Sequence, residues 1–272
     1  MASSESMIIN DTLSHYQNNF QSNYGLYKFS QSKKSNRISI ILPCFNEAKT
    51  VLSVIRKINS LSLENYEIIV VDDASTDQSP ELLKNLDNVF IFKHKSNQGY
   101  GKTLLDGIFL STGDIIITLD SDGQHDPRDI PQLCKPVIDG SADFVIGSRY
   151  QGKYCYSLPF MNRIGEAFIE IIIKIFFNES IQNNQGGFRV FHRNSLSIFE
   201  DIKFHGMAFT TELIMKAKMQ KLRIKSLPIH LFGRIEGKSR VKKIPLFMTL
   251  LHSFLYYILE YHKKKYPIIK KS

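Results

Sequence analysis

Two carboxylates at i and i+2, Asp120 and Asp122, flank Ser121 directly after the apolar run DIIITL at residues 114–119. Hard oxygen donors in that spacing, with the amide of Gln124 close behind, suit a magnesium or manganese ion that bridges to a diphosphate. A D-x-D triplet in an arbitrary loop is usually a solvated turn, so the apolar run before it carries the weight. An EF-hand is excluded by position. Counting from Asp120, the sixth residue is His125 where glycine is required, and the twelfth is Pro131 where glutamate is required. Gly99-Tyr100-Gly101-Lys102-Thr103 has the ending of a phosphate loop, but Ser96 stands where that motif needs its first glycine. Its glycines read instead as a tight helix start with Lys102 in the first turn.

Other groups follow the same logic. Asp72 and Asp73 come after EIIVV; one reads as a turn cap and the other as reaching a ligand. Glu47 suits either the first turn of a helix, through the dipole, or a ligand. Arg149, Arg163, Arg234 and Arg240 are fork-shaped donors in a region short of acids, which suits phosphate. Arg189 and Arg193 read as solvated surface. Glu212 is an ordinary first-turn acid or, being among only eight carboxylates after residue 143, a general base.

The elements that must position these groups are short, β-branched apolar runs: RISIIL (37–42), EIIVV (67–71), NVFIF (88–92), DIIITL (114–119) and DFVIG (143–147). Helical segments are expected near 47–60, 79–86, 101–112 and 128–139. Strands apolar on both faces and alternating with helices predict an α/β fold with a sheet covered on both sides, mostly parallel. Ligands in such sheets sit beyond the carboxyl ends of the strands, where the polar groups above recur. Later, helices are expected over 162–177 and near 208–220. They are joined by a Gly-Gly-Phe-Arg turn (186–189) with a short strand, then the strand IKSLPI, a basic loop (233–243) and a final apolar helix.

Composition narrows the classes further. At 43% hydrophobic and 22% charged the chain is globular, and residues 1–36, rich in Ser, Asn and Gln, read as a polar arm. Residues 1–143 carry 13 basic and 18 acidic side chains, net −5; residues 144–272 carry 22 and 8, net +14. That division points to anionic partners. Three scattered cysteines make neither a disulfide framework nor a zinc site, and no secretory leader pattern opens the chain. Residues 244–259 are 16 uncharged residues, about 24 Å of helix, against the roughly 30 Å of a hydrocarbon core. No G-x-G-x-x-G follows the first strand, which disfavours a nicotinamide cofactor. A non-catalytic nucleic-acid binder would use the basic half, but has no need for strand ends furnished with acids, so nucleic acid is not an expected partner.

Taken in order, Pro43-Cys-Phe-Asn-Glu47, Asp72-Asp-Ala-Ser-Thr-Asp77, Asn97-Gln-Gly-Tyr-Gly101, Leu119-Asp-Ser-Asp-Gly-Gln-His-Asp-Pro127, Gly147-Ser-Arg149, Gly-Phe-Arg189 and Arg234-Ile-Glu-Gly-Lys-Ser-Arg240 resemble glycosyltransferase family 2 with the GT-A fold. Within that family they resemble the dolichol-phosphate mannose synthase-like branch, over about residues 37–243. The resemblance implies an inverting, metal-dependent transferase. It would move a hexose from a GDP- or UDP-sugar to a polyprenyl phosphate; the alternative is a saccharide hydroxyl. Pro43, Phe45, Glu47, Val71 and Asp73 match nucleoside-lining positions, with Phe45 in place of the usual Tyr. Asp120, Ser121, Asp122 and Gln124 match the donor site, and Asp120, Asp122 and Gln124 within it the metal and diphosphate positions. Arg149 and Arg163 match the acceptor-phosphate positions. Arg234 and Arg240 match the loop over the donor, Arg240 replacing the usual Lys. Asn183 stands where Asp is common, and Ser226 where Glu is usual.

Asp122, Arg149 and Glu212 are the expected catalytic groups, Glu212 only for a hydroxyl acceptor. The domain reading is a polar arm (1–36), a transferase domain (37–243) split near 147 into donor and acceptor halves, and an apolar helix with a Lys-rich tail (244–272). The apolar helices and C-terminal lysines suit a cytoplasmic, peripheral position on an anionic membrane face, or pairing with a second copy.

Overall fold

The computed structural model describes residues 37–84, 86–151, 160–177, 181, 185–233 and 243–265. In chain order these form β1 (Ile38–Cys44), α1 (Val51–Asn59), β2 (Tyr66–Asp72), α2 (Ser79–Lys84), β3 (Val89–Lys93), α3 (Tyr100–Leu110) and β4 (Ile115–Thr118). After a short 3-10 turn (Pro127–Asp129) come α4 (Ile130–Ile138), β5 (Phe144–Ser148), α5 (Phe160–Phe177), β6 (Arg189–His192), a 3-10 stretch (Arg193–Phe199), α6 (Phe209–Met219), β7 (Ile224–Pro228) and α7 (Lys243–Lys265). The 3-10 stretch has no periodic apolar signature and was not expected. The arm, Asn183, Arg234 and Arg240 lie outside the described residues, as does the side chain of Arg163.

The strands make one sheet in the order β3-β2-β1-β4-β6-β5-β7. Each βα unit returns its strand parallel, so β1 pairs with β2 and β4, β2 with β3, and β5 with β7, all in the same direction. β6 is the exception. It runs antiparallel between β4 and β5, with Thr118 opposite Arg189 and Val145 opposite Val190. An apolar run carries no information on strand direction, so the all-parallel rhythm of the first half did not foretell this reversal. Its consequence is positional. The entry end of β6, at Arg189, lies at the same edge as the carboxyl ends of the other strands.

Alternate residues of each strand feed two cores. Ile38, Ile40 and Leu42 of β1, Ile68 and Val70 of β2, and Ile115 and Ile117 of β4 pack beneath α1 and α4. Ile41, Ile69, Val71, Ile116 and Phe191 face the opposite side, under α3, α6 and the inner faces of α5 and α7. α1 is amphipathic, with Val51, Val54, Ile55 and Ile58 buried at helical spacing. α5 and α7 each bury one face, through Ile169 and Ile173 and through Leu250, Phe254 and Tyr257. Their outer faces expose Ile171, Ile175, Met248, Leu255 and Leu259. Among the described residues no helix is long and apolar enough to cross a membrane.

Candidate active site

The sheet edge gathers Pro43 to Glu47 from β1, Asp72 and Asp73 from β2, Asp120 to His125 beyond β4, Arg149 beyond β5, and Gly187 to Arg189 at the start of β6. Asp120 stands at its centre. Its Oδ1 accepts a hydrogen bond of 2.8 Å from the Tyr100 hydroxyl, which comes from the first residue of α3. Gly187 passes so close that a Cβ would stand 2.5 and 2.6 Å from the Asp120 oxygens and closer still to the Tyr100 hydroxyl. Only glycine fits there. The Gly187 carbonyl is held by Thr118 Oγ1 at 2.6 Å.

Beneath this contact lies Arg189, 2% exposed. Its guanidinium donates to the carbonyls of Gly186 (2.9 Å) and Thr210 (2.8 Å) and lies over the Phe144 ring. Burial draws it down to about 10, against the opposing pull of Tyr100 and Asp120, so it stays charged at neutral pH. Burial, and then the charge of Asp120, raise the Tyr100 hydroxyl well above its ordinary value, so it remains a donor.

Asp122 is 8% exposed and accepts from the Gln124 amide at 3.0 Å, while Ser121 Oγ donates to the Pro43 carbonyl at 2.6 Å. The segment after β7 closes over this turn. Phe232 N–H donates to the Gln124 carbonyl at 2.8 Å, and His125 bridges to Leu231. The His125 ring is buried, with Nδ1 making no hydrogen bond and lying 3.7 Å from Asp120 Oδ2. Among the described residues no set of three or more His, Cys, Asp or Glu side chains is assembled to cage a metal. Two hard carboxylates beside an orphaned buried nitrogen fit a divalent cation that takes its other ligands from a diphosphate and water.

Beyond β1 and β2 lies a cleft of ≈ 670 Å³ lined by Asn46, Glu47, Thr50, Thr76, Asp77 and Glu81, among others. Glu47 lines it while accepting from Thr50 Oγ1 at 3.1 Å, and its carbonyl receives the amides of Thr50 and Val51 at 3.0 Å. Pro43 and Phe45, which precede these lining residues in the chain, are half-buried, and Val71 is fully buried under α3.

Asp72 is the turn cap, accepting from Ser75 N at 2.9 Å. Asp73 departs from the expectation that it reaches the donor. One oxygen accepts from His94 Nδ1 and Gln98 N (both 2.7 Å), and the other accepts from Gly99 N (2.9 Å). The loop that starts α3 is built on it. His94 Nε2 faces Asp106 at 3.0 Å, and Asp106 also pairs with Lys102. Lys102 therefore sits in the first turn, as expected, and serves Asp106. Burial opposes charge on His94, but its hydrogen bonds to Asp106 and Asp73 outweigh that and raise its pKa above 6.5. The sequence reading passed over His94, because a lone His after a strand signals nothing until its two carboxylates are brought together.

Two further expectations are corrected. Glu212 is fully buried, accepting from Lys203 N and Phe204 N (both 2.8 Å) and from the Tyr257 hydroxyl of α7. Such a carboxylate fastens three segments together and is not presented to an acceptor. Arg189 and Arg193 are not solvated: Arg193 holds the carbonyls of Gly113 (2.7 Å) and Ser111 (2.8 Å). Arg149 is half-buried just past β5, with its guanidinium carbon 5.6 Å from the Tyr150 ring centre.

Residues 39–199 match the model of glycosyl transferase family 2. An uncharacterised protein of Methanocaldococcus jannaschii is 33% identical over 74% of this chain and 84% of its own length. The UDP-N-acetylglucosamine–dolichyl-phosphate N-acetylglucosaminyltransferase of Methanococcus voltae is 29% identical over 71% of this chain and 84% of its own. A low-salt glycan biosynthesis hexosyltransferase of Haloferax volcanii is 30% identical over 76% of this chain and half of its own. Among solved structures, glucosyl-3-phosphoglycerate synthase of Mycobacterium tuberculosis, with Mn2+, UDP and phosphoglyceric acid, superposes with a TM-score of 0.64. It is 20% identical, covers 82% of this chain and 78% of its own, and shares the fold.

Proposed function

The chain belongs to glycosyltransferase family 2, and from that premise we propose that it moves a hexose from a nucleotide-sugar to a polyprenyl phosphate, inverting the anomeric centre. The observation that carries this reading is the Asp120–Asp122 pair at the carboxyl end of β4, at the edge where such sheets bind ligands. A relative named for transfer to dolichyl phosphate supports the acceptor class.

A magnesium or manganese ion bound there would supply neutralisation of the charge that develops on the departing diphosphate. Asp120, Asp122 and Gln124 would hold it. The cleft beside Pro43, Phe45 and Glu47 would take the nucleoside, and Arg234 and Arg240 would close over the donor. Ser121 ties the turn to β1 through the Pro43 carbonyl, which keeps cleft and carboxylates in register. Arg149 and Arg163 would orient the acceptor. A phosphate monoester, with its second pKa about 6, is already anionic at pH 7 and needs no base. The engagement of Glu212 with its own chain favours that acceptor over a hydroxyl. The exposed apolar faces of α5 and α7, with the lysines at the C-terminal end, would lie on an anionic membrane where such an acceptor resides.

The test is a panel of UDP- and GDP-sugars with Mn2+, with polyprenyl phosphate in anionic vesicles or a saccharide as acceptor. Transfer should depend on the lipid phosphate, the chain should float with the vesicles, and Asp122→Ala should lose about 10²–10³ of turnover with its circular dichroism unchanged. Transfer to the saccharide alone overturns the acceptor class. Full activity in Asp122→Ala overturns the metal assignment.

A further inference from the structure

We propose that Tyr100 is a positioning residue for the cation. Its hydroxyl fixes the carboxylate of Asp120, and it thereby sets the affinity of the site for a divalent metal. The inference rests on the assignment of Asp120 and Asp122 as metal ligands and adds a residue that the D-x-D motif does not contain.

Gly99 holds φ at 89°, a left-handed conformation that glycine tolerates, and its N–H donates to Asp73 Oδ2 at 2.9 Å. One residue on, the chain is held from the other side. The amides of Gly101 and Lys102 donate to the His205 carbonyl at 2.7 and 3.3 Å. A Cβ on Gly101 would stand 2.6 Å from that oxygen and 2.7 Å from Phe209 Cβ, so the approach is close enough to require glycine. Tyr100 lies between two clamped residues, with its ring packed on the core beneath α3. Its direction is therefore set by the Asp73 carboxylate just beyond β2 and by the His205 carbonyl, not by the carboxylate it meets.

At the far end of the ring, Oη donates to Asp120 Oδ1 at 2.8 Å. Gly187 packs against both groups, and His125 Nδ1 lies 3.7 Å from the other oxygen. Asp120 thus meets a rigid donor on one oxygen, backed by main chain that cannot move aside without displacing β6. A ligand carboxylate restrained in this way is presented in one orientation. Hydrogen-bond partners that orient metal ligands typically change affinity or activity by about 10–100-fold when removed.

The experiment titrates Mn2+ into the full chain, with and without UDP or GDP, and follows the free-ion signal by electron paramagnetic resonance. Wild type, Tyr100→Phe and Asp122→Ala are compared. Tyr100→Phe keeps the ring and removes only the donor. It should weaken Mn2+ binding about 10-fold and raise the Mn2+ concentration for half-maximal transfer to match, with kcat at saturating Mn2+ within about threefold of wild type. A purely structural role would lower the active fraction and leave the affinity of the folded protein unchanged. Should Tyr100→Phe not fold, Tyr100→Met removes the same donor with a side chain able to fill the space. Wild-type affinity in the Tyr100 variant, with binding lost in Asp122→Ala, overturns the role of Tyr100 and leaves the metal assignment standing. Wild-type affinity in both variants overturns the two together.

Discussion

In the first half of the sheet, carboxylates at strand ends are of two sorts. Asp72 holds the Ser75 amide of its own turn, Asp73 holds the amides of Gln98 and Gly99 at the start of α3, and Asp122 accepts the Gln124 amide of its own turn, whereas Asp120, half-buried, accepts from the Tyr100 hydroxyl of α3. In the second half, the cations beyond β5 are divided in the same way. Arg189 and Arg193 are spent on carbonyls of the chain, while Arg149 stands half-buried at the edge. Glu212 belongs with the first sort although it lies in the second half. Charge type and strand-end position do not separate anchors from working groups. What marks Asp73, Glu212, Arg189 and Arg193 as anchors is that each meets at least two main-chain groups.

That division can be broken experimentally, beginning with the anchor whose removal matters most. Arg189→Leu takes the guanidinium donor from the carbonyls of Gly186 and Thr210 and leaves Asp120 without a nearby buried cation. The expected loss is about 3–5 kcal/mol of stability by urea unfolding. A loss under 1 kcal/mol would place Arg189 with the surface arginines. Next, Glu212→Gln exchanges a charged acceptor for a neutral one opposite two amides and a hydroxyl, a destabilisation of about 1–3 kcal/mol. Turnover of the folded variant should stay within about twofold; a thousandfold loss would return Glu212 to the working groups. The smallest effect is a slope. His94 has a folded pKa raised above 6.5 between Asp73 and Asp106, with Lys102 on Asp106. Its contribution is fully present below pH 6.5 and is lost as pH rises through the folded value, at no more than about 1.4 kcal/mol per pH unit. In His94→Gln that part of the stability–pH curve should flatten, and an unchanged slope would show that His94 is neutral in the fold.

The βα rhythm of residues 37–148 was legible because doubly buried strands must be apolar on both faces, and polar residues beyond them stand out. The Asp120–Asp122 turn was found that way. The reversal of β6 was not, since direction is decided by which neighbour has an open edge. Arg189 illustrates the cost of that gap: with β6 unplaced, an arginine in a basic stretch looked solvated. Asp73 and Glu212 were misjudged for a related reason. Two of the partners of each are main-chain amides, which every residue except proline carries, and the third is a side chain distant in sequence, so no local pattern marks them.

The antiparallel strand also bears on how the chain is made. Residues 37–118 are built of consecutive units that can pair as they emerge, but Asp120 does not meet Gly187 and Arg189 until 69 more residues have been synthesised (189 − 120). At about 5–20 residues per second that is an interval of roughly 3–14 s on the ribosome. Throughout it β4 offers Ile115 to Thr118 as an unpaired apolar edge, which invites other strands. Completion of the carboxylate site and protection of the nascent sheet are thus a single event, the arrival of β6.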